Sequence, residues 1–334
     1  MTSSEKILNV PTNIITGFLG SGKTTAILHL LKSKPANEKW AILVNEFGEI
    51  GVDGSLISGQ NNDQQVFIRE VPGGCMCCAA GLPMQAALNE LLSRAKPDRL
   101  LIEPTGLGHP REVLSVLSGK HYHESLSIQN TITLVDARKL TDPRYTSHET
   151  FNQQIAIADI VIGNKADLYT GNEPALLQSY VADHGTAHAL IAITEQGKLS
   201  LNLLNRTNHS QSSCHEHEHE HHHHHSKPAV INDAPIPECG YLKVENSGEG
   251  FSSSGWRFAN DQVFNRQQLV DFLQSLQIER LKATLLTNHG WFSYNQTADG
   301  LSEVSITTCP EGRIEIIADK IDQHWQSALL NCLI

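Results

Sequence analysis

A chain of 334 residues, 40% of them hydrophobic, is long enough for about two globular domains with ordinary cores. Its net charge of −11 at pH 7, with no basic stripe, excludes nucleic acid as the main partner. The first residues lack a charged region leading into an apolar one, and no apolar run reaches the roughly 18 residues of a membrane span, so no signal peptide and no membrane partner are expected and the setting is read as cytoplasmic.

The first expected strand, 13–16, runs directly into Gly-Phe-Leu-Gly-Ser-Gly-Lys-Thr at 17–24, a G-x-x-x-x-G-K-[ST] phosphate loop. A helical pattern beginning at Ala26 follows. Strand, glycine loop and helix together make a phosphate site. Gly17, Gly20 and Gly22 let the backbone N–H groups around Ser21 wrap an anion, and the helix N-terminus adds its dipole. Lys23 is expected to reach the β- and γ-phosphates, and the Thr24 hydroxyl to ligate Mg²⁺.

A second strand at 40–45 leads into an acidic segment, 45–53, where nucleotide switches place their first mobile loop. Glu46, Glu49 and Asp53 there are candidates to face Mg²⁺, a second metal or simply water. A third strand, 66–70, precedes Val-Pro-Gly-Gly and then Cys75-Met76-Cys77-Cys78. Seven cysteines with three packed into four positions do not resemble a secreted disulfide framework. Three thiols can hold one soft ion, and zinc asks for four tetrahedral ligands, so at least one position stays open to another residue, water or phosphate. A Cys75/Cys78 redox pair and inert buried thiols are the competing readings.

Further strands at 99–103, 132–136, 159–163 and 189–193 alternate with helices such as 84–94, 112–117 and 149–158. This rhythm predicts an α/β domain over residues 8–204, with a mainly parallel sheet of the P-loop NTPase type and the ligand beyond the carboxyl ends of its strands. Asn164-Lys165-Ala166-Asp167 follows one of those ends. A carboxylate at Asp167 accepts from guanine N1–H and its exocyclic amine, whereas adenine leaves a buried carboxylate unpaired. GTP is therefore the favoured substrate, with ATP the lesser alternative.

From 205 to 238 the pattern stops. The stretch is polar, carries Pro228, Pro235 and Pro237, and holds His215, His217, His219, His221, His222, His223, His224 and His225 interleaved with or following glutamates. It reads as a disordered linker that gathers metal ions weakly as an auxiliary site; a solvated spacer and an affinity tag are the alternatives. Residues 239–334 predict a smaller α+β domain. Its expected strands are 241–244, 255–259, 282–286, 291–294, 302–307 and 313–317, and its helices 267–276 and 322–330.

Taken in order, Gly-Phe-Leu-Gly-Ser-Gly-Lys-Thr-Thr, Val-Asn-Glu-Phe-Gly-Glu, Gly-Gly-Cys-Met-Cys-Cys, Leu-Leu-Ile-Glu-Pro-Thr-Gly-Leu-Gly-His-Pro and Asn-Lys-Ala-Asp closely resemble the CobW family of metal-chaperone GTPases. Glu-Pro-Thr-Gly-Leu-Gly-His-Pro and Gly-Leu-Pro-Met-Gln look most like its YeiR-type zinc-binding branch. The resemblance covers residues 12–168; beyond them, Glu279-Arg280-Leu281-Lys282-Ala283 is similar to an Arg-x-Lys-Gly step with Ala283 in place of glycine. It implies GTP hydrolysis coupled to delivery of a metal to client metalloproteins. By motif, Gly20 through Thr25 would hold phosphate and Mg²⁺, with Lys23 acting on the phosphates, and Glu103 would take the acidic end of the Walker-B-like strand. Asn164, Lys165 and Asp167 would hold guanine, and Cys75, Cys77 and Cys78 would hold Zn²⁺. A cobalt carrier for cobalamin synthesis and a non-catalytic zinc store remain alternatives, and homo-oligomerisation stays open. No residue is an obvious catalytic base or arginine finger, so slow unassisted turnover is expected.

Overall fold

Ile14 and Ile15 are neighbours in the chain, point to opposite faces of one sheet, and are both fully buried. A strand covered by helices on both faces has to be apolar at successive positions rather than at alternate ones. The computed structural model describes residues 7–44, 66–71, 82–108, 110–205, 235–248, 251–309 and 311–334. In the first half, β1 (Val10–Gly17), β2 (Trp40–Val44), β3 (Val66–Glu70), β4 (Arg99–Glu103), β5 (Leu126–Asp136), β6 (Ile160–Asn164) and β7 (Leu190–Ile193) form one sheet in the order β3-β2-β4-β1-β5-β6-β7. Its pairings are parallel throughout. The expected α/β architecture is therefore present.

Helix α1 (Lys23–Ser33) lays Ala26, Ile27, Leu30 and Leu31 against Ile15, Ile42, Leu101 and Ile132 on one face. Helices Leu82–Ala95 and Pro110–Leu117 cover the other, over Ile14, Leu43, Leu100 and Ile102. Each fully buried aliphatic side chain of this kind contributes about 1.5–3 kcal/mol. β5 is six residues longer at its start than the expected 132–136, because the polar residues Ser127, Gln129 and Asn130 interrupt the apolar run without interrupting the strand. Two buried asparagines then tie down the end of the domain. Asn13 Nδ2 donates to Leu204 O (2.7 Å) and Asn130 Nδ2 to Leu203 O (3.0 Å) and Asn205 O (2.9 Å).

The second half forms an antiparallel sheet of β8 (Tyr241–Gly248), β9 (Phe251–Phe258), β10 (Arg280–Thr287), β11 (Gly290–Thr297), β12 (Gly300–Ile306) and β13 (Gly312–Ala318), in the order β12-β11-β10-β13-β9-β8. β9 begins at Phe251 rather than 255, since Ser252–Ser253–Ser254 reads as a turn yet Phe251, Ser254, Trp256 and Phe258 are all buried. Helices Arg266–Ser275 and His324–Leu330 cover one face, over Leu281, Ala283 and Leu285.

The other face lies on the first domain. Phe251 and Ile317 join a core with Phe18, Tyr145 and Phe151. The Phe251 ring sits 6.1 Å from that of Phe18, inside the phosphate loop, and 6.0 Å from His148, with which it stacks. Glu279 accepts from Tyr145 Oη (3.1 Å) and pairs with Arg144. Burial and this carboxylate push the Tyr145 phenol well above its usual range. No helix among the described residues is long and apolar enough to cross a membrane. Most of the linker expected at 205–238, including His215 to His225, lies outside the described residues.

Candidate functional site

The strand order reverses around β1, and the chemistry gathers at the carboxyl ends there. Gly17, Gly20 and Gly22 all take positive φ, at 146°, 67° and 94°. At Gly22 any Cβ would come within 2.4 Å of Asn164 Nδ2. Gly22 also caps α1 in the left-handed conformation, leaving the first N–H groups of the helix to an anion rather than to a capping side chain. Ser21 Oγ is buried and makes no hydrogen bond among the described residues, a polar group awaiting a partner inside the loop. Thr25, expected among the phosphate ligands, is exposed as the third residue of α1.

Lys23 folds over the loop. Its Nζ donates to Gly17 O (2.8 Å) and Phe18 O (3.3 Å), and it is 7% exposed. The Thr24 hydroxyl donates to Glu103 Oε1 at 2.9 Å. A hydroxyl and a carboxylate, both buried and both hard oxygen donors, suit Mg²⁺. Glu103 ends β4, and the following Pro104-Thr105-Gly106 runs over the loop: a Cβ at Gly106 would lie 3.2 Å from Lys23 Nζ.

At the base end, Asn164 is the last residue of β6 and is 1% exposed. Its Nδ2 donates to Ser21 O (2.8 Å) and its Oδ1 accepts from Gly197 N (3.0 Å), so one side chain fixes the phosphate loop, the base loop and the loop after β7 together. Gly197 was not among the sequence candidates; a glycine just past a strand end was the available signal. Lys165 is left-handed at φ 62°. Asp167 is exposed on the short turn Ala166–Leu168, not buried as the guanine argument supposed, because the turn projects past the strand end. Tyr169, lifted to about 12 by burial, keeps its proton and donates to Asn164 O at 2.8 Å.

Two further carboxylates meet at this end, one closing the expected 132–136 strand and one that was not foreseen. Asp136, last in β5 and 7% exposed, holds Arg138 through Nε (2.9 Å) and Nη2 (2.5 Å). Asp299, from the β11–β12 turn of the second domain, reaches both Arg138 (2.9 Å) and Lys165 (2.5 Å). At the phosphate end a cleft is lined by Lys23, Glu103, Pro104, Thr105 and Gly106 and, from the second domain, by Arg280 and Lys282. The side chain of Ala283, at the glycine position of the Arg-x-Lys step, points the other way into the second core.

Cys75, Cys77, Cys78, Glu46 and Glu49 lie outside the described residues, and no cluster of metal-ligating side chains occurs among the described ones. The structure does fix where their segments depart. Val44 is in register with Glu103 on one side and Glu70 on the other, and Val71 N donates to Val44 O at 2.9 Å. β2 and β3, the strands that precede the acidic and cysteine segments, therefore end side by side, next to the strand that ends in Glu103. With strands about 4.8 Å apart, the end of β3 lies about 10 Å from that of β4.

The family model described as CobW/HypB/UreG, nucleotide-binding domain, matches residues 11–190. Over 323 residues the chain is 41% identical to the zinc chaperone YeiR of Escherichia coli (strain K12), covering 96% of this chain and 97% of that one. It is 30% identical to the zinc chaperone CobW of Pseudomonas aeruginosa (59% and 60% covered) and 31% identical to the zinc chaperone YjiA of E. coli (60% and 62% covered). Among solved structures, that of Zn(II)-bound YjiA GTPase from E. coli aligns over 97% of this chain and 99% of that chain, with a TM-score of 0.43 and 18% identity.

Proposed function

The chain belongs to the CobW/HypB/UreG nucleotide-binding family, and from that premise we propose that it is a GTP-hydrolysing zinc chaperone, loading zinc on its cysteine segment and passing it to client metalloproteins in the cytoplasm. The full-length similarity to a protein named as a zinc chaperone favours zinc over cobalt as the cargo. Cys75, Cys77 and Cys78 supply thiolates for the ion, and Glu46 or Glu49 is the candidate to complete its shell.

Gly17 through Thr25 wrap the phosphates, Lys23 supplies positive charge over them, and Asn164, Lys165 and Asp167 take the guanine. Thr24 and Glu103 would hold Mg²⁺, whose chemistry here is neutralisation of charge on the β- and γ-phosphate oxygens. Asn164 keeps the base and phosphate loops in a fixed relation through Ser21.

The observation that carries the zinc coupling is that the strands before the two segments end side by side, at Val44 and Glu70, beside Glu103. A loop ordered by γ-phosphate and Mg²⁺ relaxes on hydrolysis. A neighbour that shares ligands with it must change metal affinity in step, and metal must change nucleotide affinity by the same factor. The test is phosphate release from GTP and from ATP by the purified chain, with and without zinc. The reading expects GTP to be the preferred substrate and zinc to alter the rate. Equal turnover of both nucleotides, or a rapid rate indifferent to zinc, contradicts it.

A further inference from the structure

The second domain contributes to the nucleotide site. On β10 the alternation is strict: Leu281, Ala283 and Leu285 face their own core, and Arg280, Lys282 and Thr284 face the opposite way. That opposite face is the one carrying Phe251 and Ile317 onto the phosphate loop through Phe18. The tip of β11 comes equally close, with Thr297 Cγ2 3.6 Å from where a Cβ on Gly20 would lie. Arg280 and Lys282 consequently line the same cleft as Lys23 and Glu103.

We propose that Arg280 and Lys282 form a second-domain anion site for the terminal phosphate of a nucleoside triphosphate, so that this domain distinguishes triphosphate from diphosphate. The inference rests on the nucleotide-binding reading above but not on the identity of the base. A guanidinium offers a planar fork and an ammonium a compact point charge, and the two on alternate positions of one strand can embrace different oxygens of one phosphoryl group. With Glu103 neutralised by the Mg²⁺ it would hold, Arg280 and Lys282 add two positive charges to that of Lys23 in the same cleft. Other contacts across the interface, among them the Glu279–Tyr145 hydrogen bond and the Phe251–Phe18 contact, involve no phosphate and are available with either nucleotide. A γ-phosphate held by both domains would tighten their closure, and its loss would loosen it.

The experiment uses the full chain with Mg²⁺. It compares a non-hydrolysable GTP analogue with GDP, and the corresponding ATP analogue with ADP, by calorimetry. Arg280→Ala and Lys282→Ala should each weaken the triphosphate analogue by about tenfold or more, the factor produced by losing one charged hydrogen bond. Diphosphate affinity should change by less than about twofold. Arg280→Lys and Lys282→Arg keep the charge and should retain most of the affinity, which separates ligand loss from misfolding. Thr284→Ala, on the same strand face but outside the cleft, should leave both affinities unchanged. Equal losses for triphosphate and diphosphate, or no loss for either, would overturn the proposal. So would a wild type that binds no nucleotide. A wild type preferring adenine nucleotides, with the triphosphate-selective losses intact, would sink the guanine reading and leave this site standing.

Discussion

Asp299 Oδ2 lies 2.5 Å from Lys165 Nζ, joining a hairpin tip of the second domain to the lysine of the Asn-Lys-x-Asp step. The same carboxylate pairs with Arg138, which Asp136 also holds. The second domain thus meets the Asn-Lys-x-Asp step through Asp299 and the Lys23–Glu103 cleft through Arg280 and Lys282.

Asp299→Asn should destabilise the protein by about 1 kcal/mol, since the pair is only part-exposed and falls between surface and buried ion pairs. Burial opposes the Asp299 charge, but the hydrogen bond from Lys165 and the nearby Arg138 outweigh it and hold the carboxyl below 3.8. A depressed carboxyl pKa stabilises the fold above the unfolded value and loses that contribution as pH falls through the folded one. The Tm difference between wild type and variant should be flat from about pH 5 to about pH 8 and shrink below 3.8. A difference that grows with acidity would place the effect elsewhere.

Asp167→Asn should weaken GTP binding by about 1–3 kcal/mol, because a carboxylate accepting two guanine N–H groups becomes an amide with one donor and one acceptor. The exposure of Asp167 puts the loss at the lower end of that range. The amide matches a base with a carbonyl at the 2-position, so xanthosine triphosphate should compete better in the variant than in wild type. Competition assays with both nucleotides check this; an unchanged ranking would remove Asp167 from the base site.

How much of this was legible in the sequence depends on distance along the chain. Gly17 to Thr24 and Asn164 to Asp167 are short local runs at strand ends, so their spacing alone proposes a nucleotide chemistry. The parallel sheet was legible because doubly covered strands are continuous apolar runs. Asp299 was not, and Arg280 was legible only as part of the Arg-x-Lys step and not as a neighbour of Lys23, since both come there only once two separate sheets are packed together. Nothing in Thr-Ala-Asp-Gly distinguishes an ordinary hairpin turn from one docked on Lys165. For Asp167 the expected burial was wrong, because exposure depends on how far a turn projects beyond its strand. The cysteines propose a soft-metal site by composition, while the placing of β3, the strand before them, beside β2 required the sheet order.

Removing residues 214–225 should lower the number of weakly bound zinc ions and spare one tight site. A tract with the composition expected of a linker must be ordered for each ion bound, which costs about 1–2 kcal/mol per residue fixed. Equilibrium dialysis of wild type and deletion resolves the two classes. Disappearance of the tight class would move the transfer site from the cysteines to the histidines.

The most direct measurement of the account as a whole is a zinc titration of the full chain against a chromophoric competitor, in GTP-analogue, GDP and nucleotide-free conditions, with Cys77→Ser and Cys78→Ser alongside. One tight zinc should be held more firmly with the triphosphate analogue than with GDP by about 1–3 kcal/mol, the usual size of coupling between two sites. Both serine variants should lose that zinc while still binding the nucleotide. Identical zinc affinity in the triphosphate and diphosphate states would contradict the coupling of hydrolysis to metal transfer, even with the cysteine site itself intact.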